Sequence, residues 1–138
     1  MKTFALILGL LLTTVTFSQD LKKADKLFKA EQYAEALVIY KKHLDIDPTD
    51  MNAGYKYGAC VVMLNKDNDK AIEMLTIAEK SGKSDKEIAF FMGRAYENKE
   101  DYAKALEYYE RFSVAAEKEQ LKKLKVKARI KACKKALK

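Results

Sequence analysis

Equivalent residues recur along this chain at a period of 34 or 35. Ala24, Gly58 and Gly93 are small residues at that spacing, and Leu27, Val61 and Tyr96 follow each of them by three positions. Ala36, Ala71 and Ala105 recur at 35 and 34, each preceding by four a large residue: Tyr40, Leu75 or Tyr109. From small residue to alanine the distance is 12, 13 and 12, so the middle unit carries one extra residue, inside the polar stretch from Asn65 to Asp69. An insertion confined to a turn leaves both flanking helices in register. A repeat of this length marks a supersecondary unit that cannot bury its apolar face alone, so the fold follows from the stacking of units. Small residues where two helix axes cross let the axes approach closely, and the large residue one turn later fills the space beside the crossing.

Boundary signals give two helices per unit. Asp47-Pro48-Thr49-Asp50 stops one helix and starts the next, and Ser84-Asp85-Lys86-Glu87 reads as a capping box after the helix-ending Gly82. Helices are predicted near 19–30, 33–46, 50–64, 68–81, 85–98 and 101–116. A hydrophobic fraction of 49% with 34% charged residues, one proline and five glycines suits an all-helical domain better than a disordered or β-rich one.

Gln32-Tyr33-Ala34-Glu35-Ala36-Leu37, through Tyr40 to Asp47-Pro48, resembles the second helix and closing proline of the tetratricopeptide repeat family, and Asp101 to Tyr109 resembles it again. The middle unit keeps Tyr57-Gly58 and Ala71-Ile72 but has neither the tyrosine before the alanine nor a terminal proline. The resemblance covers about 27 to 112, and more weakly 19 to 26. It implies an all-α solenoid of three helix-turn-helix repeats, about 19–48, 49–82 and 83–116, closed by a C-terminal capping helix over 117–138. More narrowly, the leader, Leu21 to Phe28, the repeats and the final Ile130-Lys131-Ala132-Cys133 are similar to the N-terminal region of OmpA-family outer-membrane proteins. Those proteins continue into a β-propeller and a peptidoglycan-binding domain. Neither follows here, so peptidoglycan binding is not carried over, and the chain is expected to be either a fragment or a stand-alone relative.

Residues 1–18 stand apart. Lys2 precedes an apolar run from Phe4 to Phe17, and Thr16 and Ser18 are small residues just before Gln19. This is the layout of a cleavable signal peptide. The run is shorter than the roughly 20 residues a membrane-spanning helix needs, so no transmembrane span is expected after cleavage. The mature chain is expected to begin at Gln19 and to be exported, to the periplasm or the outer membrane. Cys60 and Cys133 each fall on an apolar helix stripe, where burial as free thiols is favoured over a bridge.

Past Phe112 the pattern changes. Val126, Ile130, Cys133 and Leu137 are spaced four, three and four, one face of a helix that should cover the third repeat, while Leu121 and Leu124 should pack at its entry turn. From Lys118 to Lys138 there are ten basic residues and one acidic, about +9 on this element against about −3 on the rest of the mature chain. Lys122, Lys123, Lys127 and Lys134 are therefore candidates for binding an anionic envelope surface, lipid or lipopolysaccharide; the alternative is a solvated face that keeps the end of the array soluble.

Catalytic chemistry has few candidates. His43 is the sole histidine and neither a second histidine nor a cysteine is placed to share a metal with it; it reads as a half-buried packing residue. Gly54-Tyr55-Lys56-Tyr57-Gly58 lies inside a helix and is not a phosphate loop. No catalytic residue, metal, cofactor or nucleic-acid partner is expected. Stacks of helix pairs bind partners on the concave side lined by the first helices. The candidate groove residues are Lys22, Asp25, Lys29, Asn52, Tyr55, Lys56, Val62, Met63, Glu87, Phe90, Arg94 and Asn98. Tyr55, Met63 and Phe90 are the expected apolar anchors, Lys56 and Arg94 the expected holders of a carboxylate, and of Phe90 and Phe91 one is expected to be buried and the other available. The leading reading is a non-enzymatic scaffold of the cell envelope that grips a segment of another protein.

Overall fold

The computed structural model describes residues 18–82 and 86–138. Along them run eight helices: α1 (18–29), α2 (Tyr33–Leu44), α3 (Met51–Met63), α4 (Asn68–Lys80), α5 (Lys86–Asn98), α6 (Tyr102–Ala115), α7 (Lys118–Lys123) and α8 (Val126–Ala136). The first six form three antiparallel pairs. The leader expected over 1–18 lies outside the described residues except for Ser18, and so do Ser84 and Asp85 of the capping box expected at 84–87. No described helix is long and apolar enough to cross a membrane.

The turn inside each pair is built the same way. Glu31, Asn65 and Glu100 adopt positive φ of 61°, 47° and 60°, again 34 and 35 residues apart. After each, a backbone N–H reaches back across the turn: Gln32 to Leu27 O at 2.9 Å, Lys66 to Val61 O at 3.0 Å and Asp101 to Tyr96 O at 2.9 Å. These are Schellman closures, and their acceptors are the three large residues that follow the small ones in the repeat. The next helix begins at once after Gln32 and Asp101, whereas in the middle unit Lys66 intervenes before the cap Asp67. Lys66 is thus the extra residue of the middle unit. Asp50, Asp67 and Asp101 cap α3, α4 and α6 by accepting backbone N–H groups of the first turn.

The small residues face the partner helix at its alanine and large residue. A Cβ added to Gly93 would stand 2.7 Å from the Tyr109 ring, and one on Gly58 would stand 3.3 Å from Leu75 Cγ and 3.4 Å from Ala71 O. Ala36, Ala71, Ala105, Tyr40, Leu75 and Tyr109 are all buried. Each such large side chain contributes about 1.5–3 kcal/mol by leaving water.

The closing region departs from expectation. Lys125, at φ 53°, breaks the single helix expected over 117–138 into α7 and α8. The break lets Leu121 and Leu124 pack on the main core from one direction and α8 from another. Val126 and Cys133 are buried and Ile130 is half-buried, but Leu137 is 51% exposed, so the covering stripe ends one turn earlier than its spacing suggested. Cys60 and Cys133 are free and buried, and burial pushes the Cys60 thiol up to about 12.

Candidate functional site

The face made by α1, α3 and α5 is largely filled by its own side chains. Phe91 meets Phe28 at 6.1 Å, Tyr55 at 6.1 Å and Phe90 at 5.4 Å between ring centroids, and Phe90 continues to Phe112 at 5.6 Å. Tyr55, Val62, Phe90 and Phe91 are all buried. The expectation that Tyr55 and Phe90 are surface anchors, Val62 a groove residue and one of Phe90 and Phe91 available is therefore corrected. With only three pairs, the apolar flanks of the first helices find their cover in one another.

The short helix α7 covers part of what remains. Gln120 donates to Glu87 at 2.7 Å, Lys123 pairs with Glu31 at 3.1 Å, and Leu124 packs on the aromatic cluster. Beside them is a cavity of about 190 Å³, lined by Phe28, Tyr33, Phe90, Phe91 and Leu124 with Lys29, Glu31, Glu87 and Lys123 at its mouth.

Charged residues of this face are mostly engaged within the molecule. Asp25 accepts the Tyr40 hydroxyl at 2.6 Å and the Lys56 ammonium at 2.6 Å. Burial alone would raise the Asp25 carboxyl, but the hydrogen bonds from Lys56 and Tyr40 and the Lys56 charge hold it below its usual value. Lys56 is thus not available for a partner's carboxylate, a second correction. Glu97 is held in the same way, by the Tyr109 hydroxyl and by Arg129 at 2.8 Å. In both triads a carboxylate on a first helix takes the tyrosine of its own pair and a cation from a following helix, α3 in one case and α8 in the other. Asn98 ties the second and third pairs, donating to Val62 O and to Asn68 Oδ1 at 3.0 Å each. Lys22, Lys29 and Asn52 are exposed, and Met63, Glu87 and Asn98 are half-buried.

Arg94 differs from these. It is half-buried, and its Nε, like that of Arg129, is buried without a hydrogen-bond partner, but no carboxylate among the described residues pairs with Arg94. Its charge acts on the Tyr33 hydroxyl, which burial first and the Glu31 charge next push up to about 12 and Arg94 pulls back.

His43 is less isolated than its sequence context suggested. Its Nε2 lies 2.9 Å from Asp50 Oδ2, and one donor atom from each of His43, Asp47 and Asp50 falls within 4.8 Å of the others. The turn accounts for the cluster: Asp50 Oδ1 accepts the N–H of Asn52 at 2.9 Å and of Ala53 at 3.0 Å, and Asp47 Oδ1 accepts Thr49 N–H and Oγ1–H.

At the basic end, Lys123 and Lys134, expected to meet an anionic surface, are paired with Glu31 and with Glu110 at 2.8 Å. Lys122 and Lys127 instead line a second concavity between α6, α7 and α8.

The stacked helix pairs define an α-solenoid. Residues 89–123 match the tetratricopeptide repeat family model. The first tetratricopeptide-repeat domain of the human RPAP3 protein, solved by NMR, superposes with a TM-score of 0.61 at 21% identity, over 86% of this chain and 95% of that one. The fold is thus a tetratricopeptide-repeat-like array of three helix pairs with closing helices. No curated protein matches the chain at a significant level.

Sequence reasoning missed α7 as a cover and the internal ion pairs. A signal for the latter exists: Lys56–Asp25, Lys99–Asp69, Arg111–Glu79 and Arg129–Glu97 join opposite charges 30 to 32 residues apart, slightly less than one repeat.

Proposed function

We propose that the protein is a non-enzymatic interaction scaffold of the cell envelope, composed of a leader over 1–18, three repeats over 19–116 and a basic closing region over 117–138. It holds a partner protein's segment on the α1, α3 and α5 face. Helix-pair arrays of this kind serve in general as protein-binding surfaces. The observation that carries the reading is Arg94: it is half-buried, its Nε has no hydrogen-bond partner and no described carboxylate pairs with it, whereas Lys56 and Arg129 are paired with Asp25 and Glu97. A partner carboxylate pairs with Arg94, and an apolar side chain of the same segment enters the cavity lined by Phe28, Tyr33 and Phe90.

A photo-crosslinking residue at Lys29 tests this in intact cells, with one at Glu73 on α4 as control. The expected result is a discrete adduct from position 29, lost in Arg94→Gln at unchanged helical circular dichroism. Capture from position 73 alone, or an adduct indifferent to Arg94→Gln, overturns the reading. Export is checked separately: the protein from the envelope fraction should begin at Gln19, and a cytosolic chain retaining Met1 refutes that part.

A further inference from the structure

A groove of about 680 Å³ opens between the last turn of α6, α7 and the first turn of α8, away from the α1, α3 and α5 face. Its lining is Ser113, Ala116, Lys118, Leu121, Lys122 and Lys127, with no carboxylate among them. On the same last turn of α6, Val114 is 89% exposed. We infer that this groove is a second docking site, and that it takes a short acidic segment of a partner protein in which an apolar side chain lies beside carboxylates.

The charge pattern selects the occupant. Elsewhere in the closing region Lys123, Arg129 and Lys134 are held by Glu31, Glu97 and Glu110. Seven lysines of the closing region pair with no carboxylate among the described residues, and three of them, Lys118, Lys122 and Lys127, line the groove beside its apolar floor. Cations left unneutralised around a low-polarity surface attract carboxylates more strongly than the same cations in open water. Leu121 and Ala116 supply a floor for an aliphatic or aromatic side chain, and the volume falls in the range of about 300–1,000 Å³ typical of ligand sites. A flat membrane surface is the poorer fit, because the three lysines converge from two helices on a concavity that a headgroup layer does not enter. Of the lysines expected to spread across such a surface, Lys123 and Lys134 are internally paired.

Display selection of random short segments on the full mature chain tests the inference, run in parallel on Lys122→Glu, Lys127→Glu protein. Both substitutions fall on exposed side chains, so helicity and Tm should be unchanged. The wild type should enrich segments combining Asp or Glu with an apolar residue, and the variant should not. A selected peptide, synthesised with a fluorophore, should bind the variant about tenfold or more weakly, weaken with salt, and couple by carbodiimide to Lys118, Lys122 or Lys127. Capture at the Lys29 crosslinker should persist in the variant, which separates this site from the face around Arg94. The inference is overturned if both proteins enrich the same segments or if coupling spreads over all lysines. It is also overturned if phosphatidylglycerol vesicles bind the wild type while no peptide does.

Discussion

The outer pairs and the middle pair are held to their neighbours by different means. In the first and third, a tyrosine from the second helix and a cation from a following helix converge on one carboxylate, Asp25 or Glu97. In the middle pair Leu75 stands where the tyrosines stand, packed against Gly58 without a polar atom, and no such triad forms; the links onward are the amide of Asn98 and the separate ion pairs Lys99–Asp69 and Arg111–Glu79. The same helix crossing is therefore served by an aromatic with a polar tip at the ends and by a flexible aliphatic in the centre. A rigid ring demands more of the small residue opposite than leucine does.

The largest expected effect follows from that demand. Gly93→Ala should cost about 3 kcal/mol, because the new methyl meets the buried Tyr109 ring. Gly58→Ala should stay within about 1 kcal/mol of neutral, since Leu75 gives way and alanine improves helix propensity. Equal shifts of the urea midpoint in the two variants break the comparison. Glu97→Ala comes next, at about 2 kcal/mol, because the Tyr109 hydroxyl and Arg129 both lose their acceptor. A double-mutant cycle with Arg129→Ala should show clear coupling, and additivity would remove the triad from the account. Tyr40→Phe should cost about 1 kcal/mol by the same thermal or urea measurement, less than Glu97→Ala because Asp25 keeps Lys56.

A smaller effect is set by pH. The Asp25 carboxyl lies below its ordinary value near 3.8 in the folded chain, so its stabilisation is complete above that value and disappears as pH falls through the folded one. Asp25→Asn should therefore be less stable than wild type at neutral pH and converge with it in strong acid. A constant gap across the titration would assign the effect to packing. Smallest is Lys123→Ala, whose exposed pair with Glu31 should be worth no more than about 0.5 kcal/mol, while access to the cavity under α7 widens. Hydrogen exchange in α7 reads that loosening.

The helix pairs were legible in the sequence because small residue, alanine and large residue recur in a fixed register, and because Asp47 to Asp50 marks one helix end and the next start. Their turns were less so, since Glu31, Asn65 and Glu100 take a left-handed conformation without being glycine. Lys125 does the same, and for that reason the single closing helix that the spacing predicts is two. The binding face was least legible. An apolar stripe such as Tyr55 to Val62 has the same spacing whether it lines an open groove or abuts another helix, and only the approach of α5, which sets Phe91 against Tyr55, decides between them. Lys56 and Arg94 look alike as exposed cations in the sequence; one has a carboxylate waiting 31 residues earlier and the other has none.

Arg129 on α8 reaches Glu97 much as Lys56 on α3 reaches Asp25, so α8 occupies the berth that the first helix of another pair would take. Beyond the groove, its exposed side carries Lys131 and Lys135 instead of an apolar seam. A stack of this kind has a growth direction, and here the last rung accepts its predecessor while offering its successor only like charges and water. Two molecules meeting rung to rung bring like charges together, and that repulsion weakens as salt rises.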